Sequence, residues 1–349
     1  MFWFSLASLS PLALLICACL WAGIWPGVAL AYMTLCVYAL DRLGRRKLPV
    51  QQDAQTMHRA DLLSVTLALG HLGLLPALMI AIPQMPMLQA VLTGAAAGLF
   101  MGQVSHPNAH ELIHRPARGL RRLGAIVYTS MLIGHHVSAH MLVHHVHVGT
   151  ERDPNSADLG LGFYRFWPRA WLGSFRAGWQ AETSRRLKRT DSGGMHPYFG
   201  YLAGAGALIL LATALAGLDG VLVLLAICTY AQAQIFLADY VQHYGLRRQT
   251  YDQRLEPTGP QHSWNAPHWY SSALMLNAPR HSDHHMHPGR PYPALELTKD
   301  MPTLPRPVPL MAVIALFPPL WRRIMDPRVA LLRQRAAPDS SNPTLHTRQ

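Results

Sequence analysis

MLQAVLTGAAAGLFMGQVSHPNAHELIH, residues 87–114, decides the fold. From Met87 to Ala109 it holds no Lys, Arg, Asp or Glu, and a bilayer's hydrocarbon core needs only about 20 mainly apolar residues of helix. The stretch therefore reads as a membrane span. It runs without a break into HELIH, whose two histidines, His110 and His114, stand four apart and share a helix face. A candidate metal-binding pair is thus fixed to the end of a span.

The same charge pattern extends outward in both directions. Half of the 349 residues are hydrophobic and 14% are charged, roughly half the charge of an average soluble protein. All 30 Lys and Arg fall in three blocks, Arg42–Arg59, Arg115–Arg189 and Arg247–Arg348. The intervening stretches give six expected spans in three hairpins, at about 10–23, 26–40, 61–82, 87–109, 198–217 and 220–242. The turns near Gly23–Pro26, Pro83–Pro86 and Gly217–Gly220 carry no cation, so the positive-inside rule places the basic blocks, both termini and the histidines in the cytoplasm. The reading is an all-α integral membrane protein with cytoplasmic helical extensions. It forms a single domain over 1–335, with a disordered Pro-, Ser- and Asn-rich tail at 336–349. No basic residue precedes the first span and a second follows at once, which argues against a cleaved signal.

Two shorter segments are read as interfacial. Phe163–Lys188 interleaves aromatic residues with arginines, as an amphipathic helix at headgroup level does. Val308–Trp321 is too short and too proline-broken to be a seventh span. The net charge of +12 follows from topology and comes with no nucleic-acid motif, so nucleic acid is excluded as a partner. A basic face does suit anionic lipid and an acidic soluble protein. Cys17, Cys19, Cys36 and Cys228 all lie in expected spans and form no CxxC pair, so they read as packing and not as a metal site.

The 20 histidines carry the chemistry. After HELIH come HMLVHH (His140–His145), QHYGL with His243, and HSDHH (His281–His285). On α-helices, His110 with His114, His140 with His144, and His281 with His284 and His285 would each aim at one point. Neutral imidazole binds iron, zinc and copper, and nine such nitrogens offer two ions four or five ligands each, where a structural zinc needs four. Two redox metals fit the count. HExxH is also a zinc-protease signature, with Glu111 as base, but that reading leaves the other clusters unused. A metal transporter would hold its ligands near mid-bilayer, where His71 is the clearest ionisable residue. His58 and His71, taken singly, read as ordinary interfacial or core residues.

NAHELIH (108–114), TERDPNSA (150–157), QHYGLRR (242–248), HSWN (262–265) and RHSDHHMHPGRPYPAL (280–295) together resemble the membrane alkane 1-monooxygenase (AlkB-type) family. That family is related to xylene monooxygenase and membrane fatty-acid desaturases. The resemblance runs from the first hairpin to Asp326. It implies two non-haem irons held by His110, His114, His140, His144, His145, His243, His281, His284 and His285, with no bridging carboxylate. It implies that O2 and two electrons convert a terminal methyl group of an apolar hydrocarbon to a primary alcohol. It also implies a rubredoxin-type donor with its reductase, and residence in a bacterial inner membrane. An aromatic-methyl or acyl-chain substrate is the alternative on the same architecture; His243 and HSWN favour the hydroxylases over the desaturases.

Around the clusters, Glu111, Asp153 and Asp283 are placed to accept an imidazole N–H, and Asp153 is equally suited to start a turn with Pro154. Ala139, Gln242 and Asp239 stand where the family often has Glu, Glu and Asn, which alters the charge near the site. His262 is read with His106, His135, His136, His147, His268 and His287 as a non-ligand that orients, relays protons or packs. Gly94–Gly98 either packs helices closely or leaves room for substrate, a choice the sequence leaves open.

Overall fold

The computed structural model describes residues 1–44, 48–188, 194–251 and 254–336. The expected tail therefore lies outside the described residues except at its first position. Four helices are long and apolar enough to cross a membrane: α1 (Phe2–Trp21), α3 (Ala54–Gln84, its last turn tightened), α4 (Met87–His114) and α8 (Pro197–His243). The protein is a multi-pass membrane protein by that measure.

α1 begins eight residues earlier than expected. Ser8 and Ser10 return their hydroxyls to the carbonyls of Phe4 and Leu6 at 2.7 and 2.6 Å, so these polar residues are satisfied within the helix. Ala22 and Gly23, with φ of 47° and 54°, then turn the chain. The second expected span is one helical run, α2 (25–43), interrupted by a π-turn at Tyr32–Cys36. α3 starts on an Asp53 cap that accepts from the Thr56 N–H at 2.9 Å. α8 breaks at Ala216 and Gly217, where φ reaches 59° at the glycine. Gly220 then lies against the Ala212 carbonyl, so the helical path is broken near the expected turn.

α5 (Arg118–Ser130) doubles back along α4. His71 of α3 ties these elements together, bonding Ser105 Oγ at 2.9 Å and Ser130 Oγ at 2.8 Å. A buried imidazole with two hydroxyl partners acts as a strut, which removes the main support for the transporter reading. Gly98 and Gly102 of α4 lie against Tyr230 and Gln234 of α8, where a Cβ would meet side-chain atoms at 2.2 and 2.6 Å. Those two glycines serve close packing, while Gly94 faces open space.

α6 (136–147) carries the second histidine motif and contains a π-turn at His140–His144. α7 (Phe163–Leu187) buries Phe163, Phe166, Ala170, Ser174, Gly178 and Glu182, a stripe at helical spacing that seats on α6 and α8. Its amphipathic character was legible in sequence, but its apolar stripe covers protein. A two-residue ribbon, β1 (Thr250–Tyr251) with β2 (Arg254–Leu255), is a small exception to the all-helical expectation. Short helices α9 (Trp269–Leu274) and α10 (His281–Met286) follow. α11 (Val308–Ala315) then docks on α8, and α12 (Pro318–Ala336) ends the described chain.

Candidate metal centre

Nine histidines from α4, α6, α8 and α10 converge. His110, His114, His140, His145 and His284 form one group and His144, His243, His281 and His285 a second; within each, the potential ligand nitrogens lie within 4.8 Å of one another. All nine residues expected from sequence are brought together, but their division differs from helical arithmetic in two places. His140 and His144 were expected to share a point. The π-turn instead closes its backbone bonds five residues apart, so His140 pairs with His145, Nε2 to Nε2 at 2.9 Å, and His144 turns to the second group. In α10, His281 meets His285 at 3.1 Å, whereas His284 crosses to the first group and reaches His145 at 3.2 Å. His110 and His114 do share a group, on an uninterrupted α-helical turn.

The donor set fits metal ions. Two imidazole nitrogens about 2.1 Å from one ion and roughly a right angle apart lie about 3 Å from each other. The contacts of His145 with His140 and His284, and of His281 with His243 at 3.0 Å and with His285, have that spacing. The inward Nε2 atoms of His110, His114 and His144 are buried without any protein partner, a costly arrangement unless a cation completes it. Among the described residues, neither group includes a carboxylate. The groups adjoin, with the His145 and His285 rings 4.6 Å apart.

Burial and crowding keep the rings neutral, the form that binds metal. Burial first and neighbouring imidazoles second push His140, His145, His281, His284 and His285 well below the ordinary histidine range. His144 differs. Burial disfavours its charge, but the Asp153 carboxylate accepts from its Nδ1 at 2.9 Å and lifts it above the usual value. Asp153 is itself raised by burial and lowered further by His144 and Ser156, so its net shift is downward.

Of the polar residues flagged around the motifs, Asp153 alone has its carboxylate on a group imidazole. It also accepts from the Asn155 N–H and the Ser156 hydroxyl at 3.1 and 2.6 Å, so the turn expected with Pro154 and the histidine contact coexist. Asp239 stands one link behind, accepting from the Asn155 amide at 2.7 Å. His262 contributes its carbonyl, 3.4 Å from His243 Nδ1; its ring is tied to Glu256 and the Gly259 N–H. Two expectations are corrected. Asp283 binds His287, Arg290 and the Glu296 N–H because the 287–296 loop folds back over it. Glu111 points to Arg115 and the Tyr292 N–H. Neither accepts from an imidazole of the two groups.

The HSWN string has a role that sequence reading missed. Asn265 accepts from the Ser282 N–H at 2.9 Å and donates to its hydroxyl at 2.7 Å, while the Trp264 N–H donates to the Gln242 carbonyl at 2.8 Å. One strand of chain thereby clamps α10 to the end of α8, next to His243 and His281. Gln242 donates to the Ala278 carbonyl at 3.2 Å, a bond that a carboxylate at this position would not make. None of His106, His135, His136, His147, His268 or His287 belongs to either group. His106 binds the Tyr128 hydroxyl at 3.0 Å, and His135 packs edge-on against Trp171 and Phe175.

These spans and histidine groups are those of a membrane oxidoreductase fold, and the chain belongs to the fatty acid desaturase family, whose profile matches residues 85–314. Within the curated proteins it is 35% identical over 238 residues to alkane 1-monooxygenase 2 of Pseudomonas aeruginosa, an alignment covering 67% of this chain and 63% of that protein. It is 32% identical over 243 residues to the alkane 1-monooxygenase of Acinetobacter baylyi, covering 68% and 59%. More distantly, it is 29% identical over 219 residues to the xylene/toluene monooxygenase hydroxylase component XylM of Pseudomonas putida, covering 62% and 58%. The chain thus spans less than two thirds of the length of these relatives.

Proposed function

We propose that this chain is an O2-dependent monooxygenase of the inner bacterial membrane that converts a terminal methyl group of an n-alkane, or a similar apolar molecule, to a primary alcohol. The observation that carries the reading is the pair of adjoining, all-imidazole groups of five and four nitrogens, in which His110, His114 and His145 are half-buried and the other six histidines are buried. The names of the relatives support the alkane assignment. In the balanced reaction R–CH3, O2, two electrons and two protons give R–CH2OH and water.

Two irons, held by the five histidines of one group and the four of the other, would supply the redox chemistry for O2 that no side chain can. The protein's part is to position and protect. Asp153 fixes the His144 ring with Nε2 inward, and the His262 carbonyl does the same for His243. Burial of His140 and His284 and of all four histidines of the second group keeps water from chemistry that it would quench. The π-broken run 25–43 and the two limbs of α8 complete six spans in three hairpins in this reading, with the metal groups at their cytoplasmic ends. An apolar substrate reaches them from the bilayer. Electrons would come from a separate rubredoxin-type protein and its reductase.

The test is metal content and product identity on the purified protein supplied with rubredoxin, reductase and either octane or a xylene. About two irons per chain and 1-octanol are expected. Turnover of the xylene alone would replace the alkane by an aromatic methyl group, as the XylM relationship allows, and a single zinc per chain would remove the proposal.

A further inference from the structure

Beside the metal centre lies a surface cleft of about 700 Å³ that none of the chemistry above uses. Its lining includes the apolar residues Ile113, Val137, Met141 and Leu142, together with His114. Five arginines surround it: Arg115, Arg118, Arg121, Arg122 and Arg185. Two of them are engaged by the protein, Arg115 with Asp61 and Glu111, and Arg121 with the carbonyls of Arg115 and Pro116. Arg118, Arg122 and Arg185 are exposed and, among the described residues, have no carboxylate within ion-pair distance. The single acid of the lining, Glu182, is buried and accepts from the Ser138 hydroxyl at 2.8 Å. So many cations around one concavity repel each other unless an anion enters.

The cleft's depth in the molecule says which anion. Ser138 also meets the Tyr201 hydroxyl at 3.1 Å, one turn inside the start of α8, the most apolar of the four candidate spans. At that start Trp179 stacks against His196 and packs on Tyr198 and Phe199, the aromatic composition of a membrane–water boundary. The arginines therefore stand at headgroup level. Guanidinium forks match phosphate oxygens, and the apolar residues that share the lining with them suit the glycerol and first methylenes of a lipid.

We infer that this cleft binds the phosphate headgroup of an anionic phospholipid, which then lies against His114 and shields that side of the metal centre from water. Neither the binding nor its test requires turnover. The full chain, purified in a neutral detergent, is titrated with phosphatidylglycerol, phosphatidylcholine or inorganic phosphate, with bound lipid counted by native mass spectrometry and the unfolding midpoint followed in parallel. Phosphatidylglycerol is expected to bind at least about tenfold more tightly than phosphatidylcholine. Each guanidinium at a membrane surface contributes about fivefold, so R118Q/R122Q/R185Q should lose on the order of a hundredfold. The corresponding triple Lys variant keeps the charge and most of the preference, and R322Q/R328Q on α12 keeps all of it. Because the three arginines are exposed, unchanged metal content in the Gln variant verifies its fold. Equal binding of the two lipids, or undiminished phosphatidylglycerol binding by the Gln variant, overturns the inference. Two other outcomes also overturn it: inorganic phosphate matching phosphatidylglycerol, which makes the cleft a free-anion site, and indifference to lipid combined with lost binding of an acidic donor protein, which makes it a protein dock.

Discussion

Replacing Asp153 with Asn should loosen one metal and spare the other. Asp153 is 3% exposed, and one of its oxygens serves both His144 Nδ1 and the Ser156 hydroxyl while the other takes the Asn155 N–H. An amide has one acceptor oxygen and two N–H donors, so it cannot serve all three, and it carries no charge to balance His144. A hydrogen bond to a charged group contributes about 1.5–3 kcal/mol, which corresponds to roughly 10–150-fold. Losing a partner that orients a metal-bound histidine costs about 10–100-fold in affinity. The effect should fall on the four-histidine group, because His144 is the member that Asp153 touches. Iron per chain, measured across a chelator series, should then drop in two steps for D153N and hold to a higher chelator concentration for the native protein. Loss of both irons together with an unchanged unfolding midpoint, or no change in either step, would refute the reasoning.

Acidification should destabilise the metal-free protein more than the loaded one. His140, His145, His281, His284 and His285 have folded values depressed well below 6.5, so below about pH 6.5 the unfolded chain binds more protons. Stability falls there by about 1.4 kcal/mol per pH unit for each such histidine. His144, whose value is raised, runs the other way: its contribution is present at low pH and fades as pH rises through its folded value, an offset of one against five. A flat pH profile of the metal-free unfolding midpoint would contradict this. Gly98→Ala should cost about 1–3 kcal/mol, because its Cβ would meet the Tyr230 ring at 2.2 Å; Gly94→Ala, with nothing within 4 Å, should be neutral in the same thermal assay. His71→Ala should lower the melting midpoint yet leave metal content and hydroxylation in place, whereas His284→Ala should abolish hydroxylation. Hydroxylation that survives His284→Ala would refute the catalytic role of the histidine groups.

The spans were legible because Lys and Arg are absent from long apolar stretches, a signal that survives irregular backbone. Their ends were less so: the first span was expected from about residue 10, but the helix starts at Phe2 and its Ser8 and Ser10 hydroxyls bond back to the preceding turn. The nine histidines could be named in advance, whereas their division between two groups could not, since it depends on one π-turn and on the angle of a six-residue helix. The partners of Glu111 and Asp283 were misjudged for a different reason. Both face the segment 290–296, whose Arg290 and backbone N–H groups arrive only once the chain has folded back. Asn265 gave no sequence signal of its own beyond the family string in which it sits.

A π-turn is an α-helix with one residue too many. Were one residue among Met141, Leu142 and Val143 deleted, the three histidines of HMLVHH would stand at positions i, i+3 and i+4, all on one face. The second group would lose His144, and with it the link to Asp153. A single supernumerary residue in α6 therefore partitions the imidazoles between two centres, and the nuclearity of the site is written in the length of one helical turn as much as in the number of its histidines.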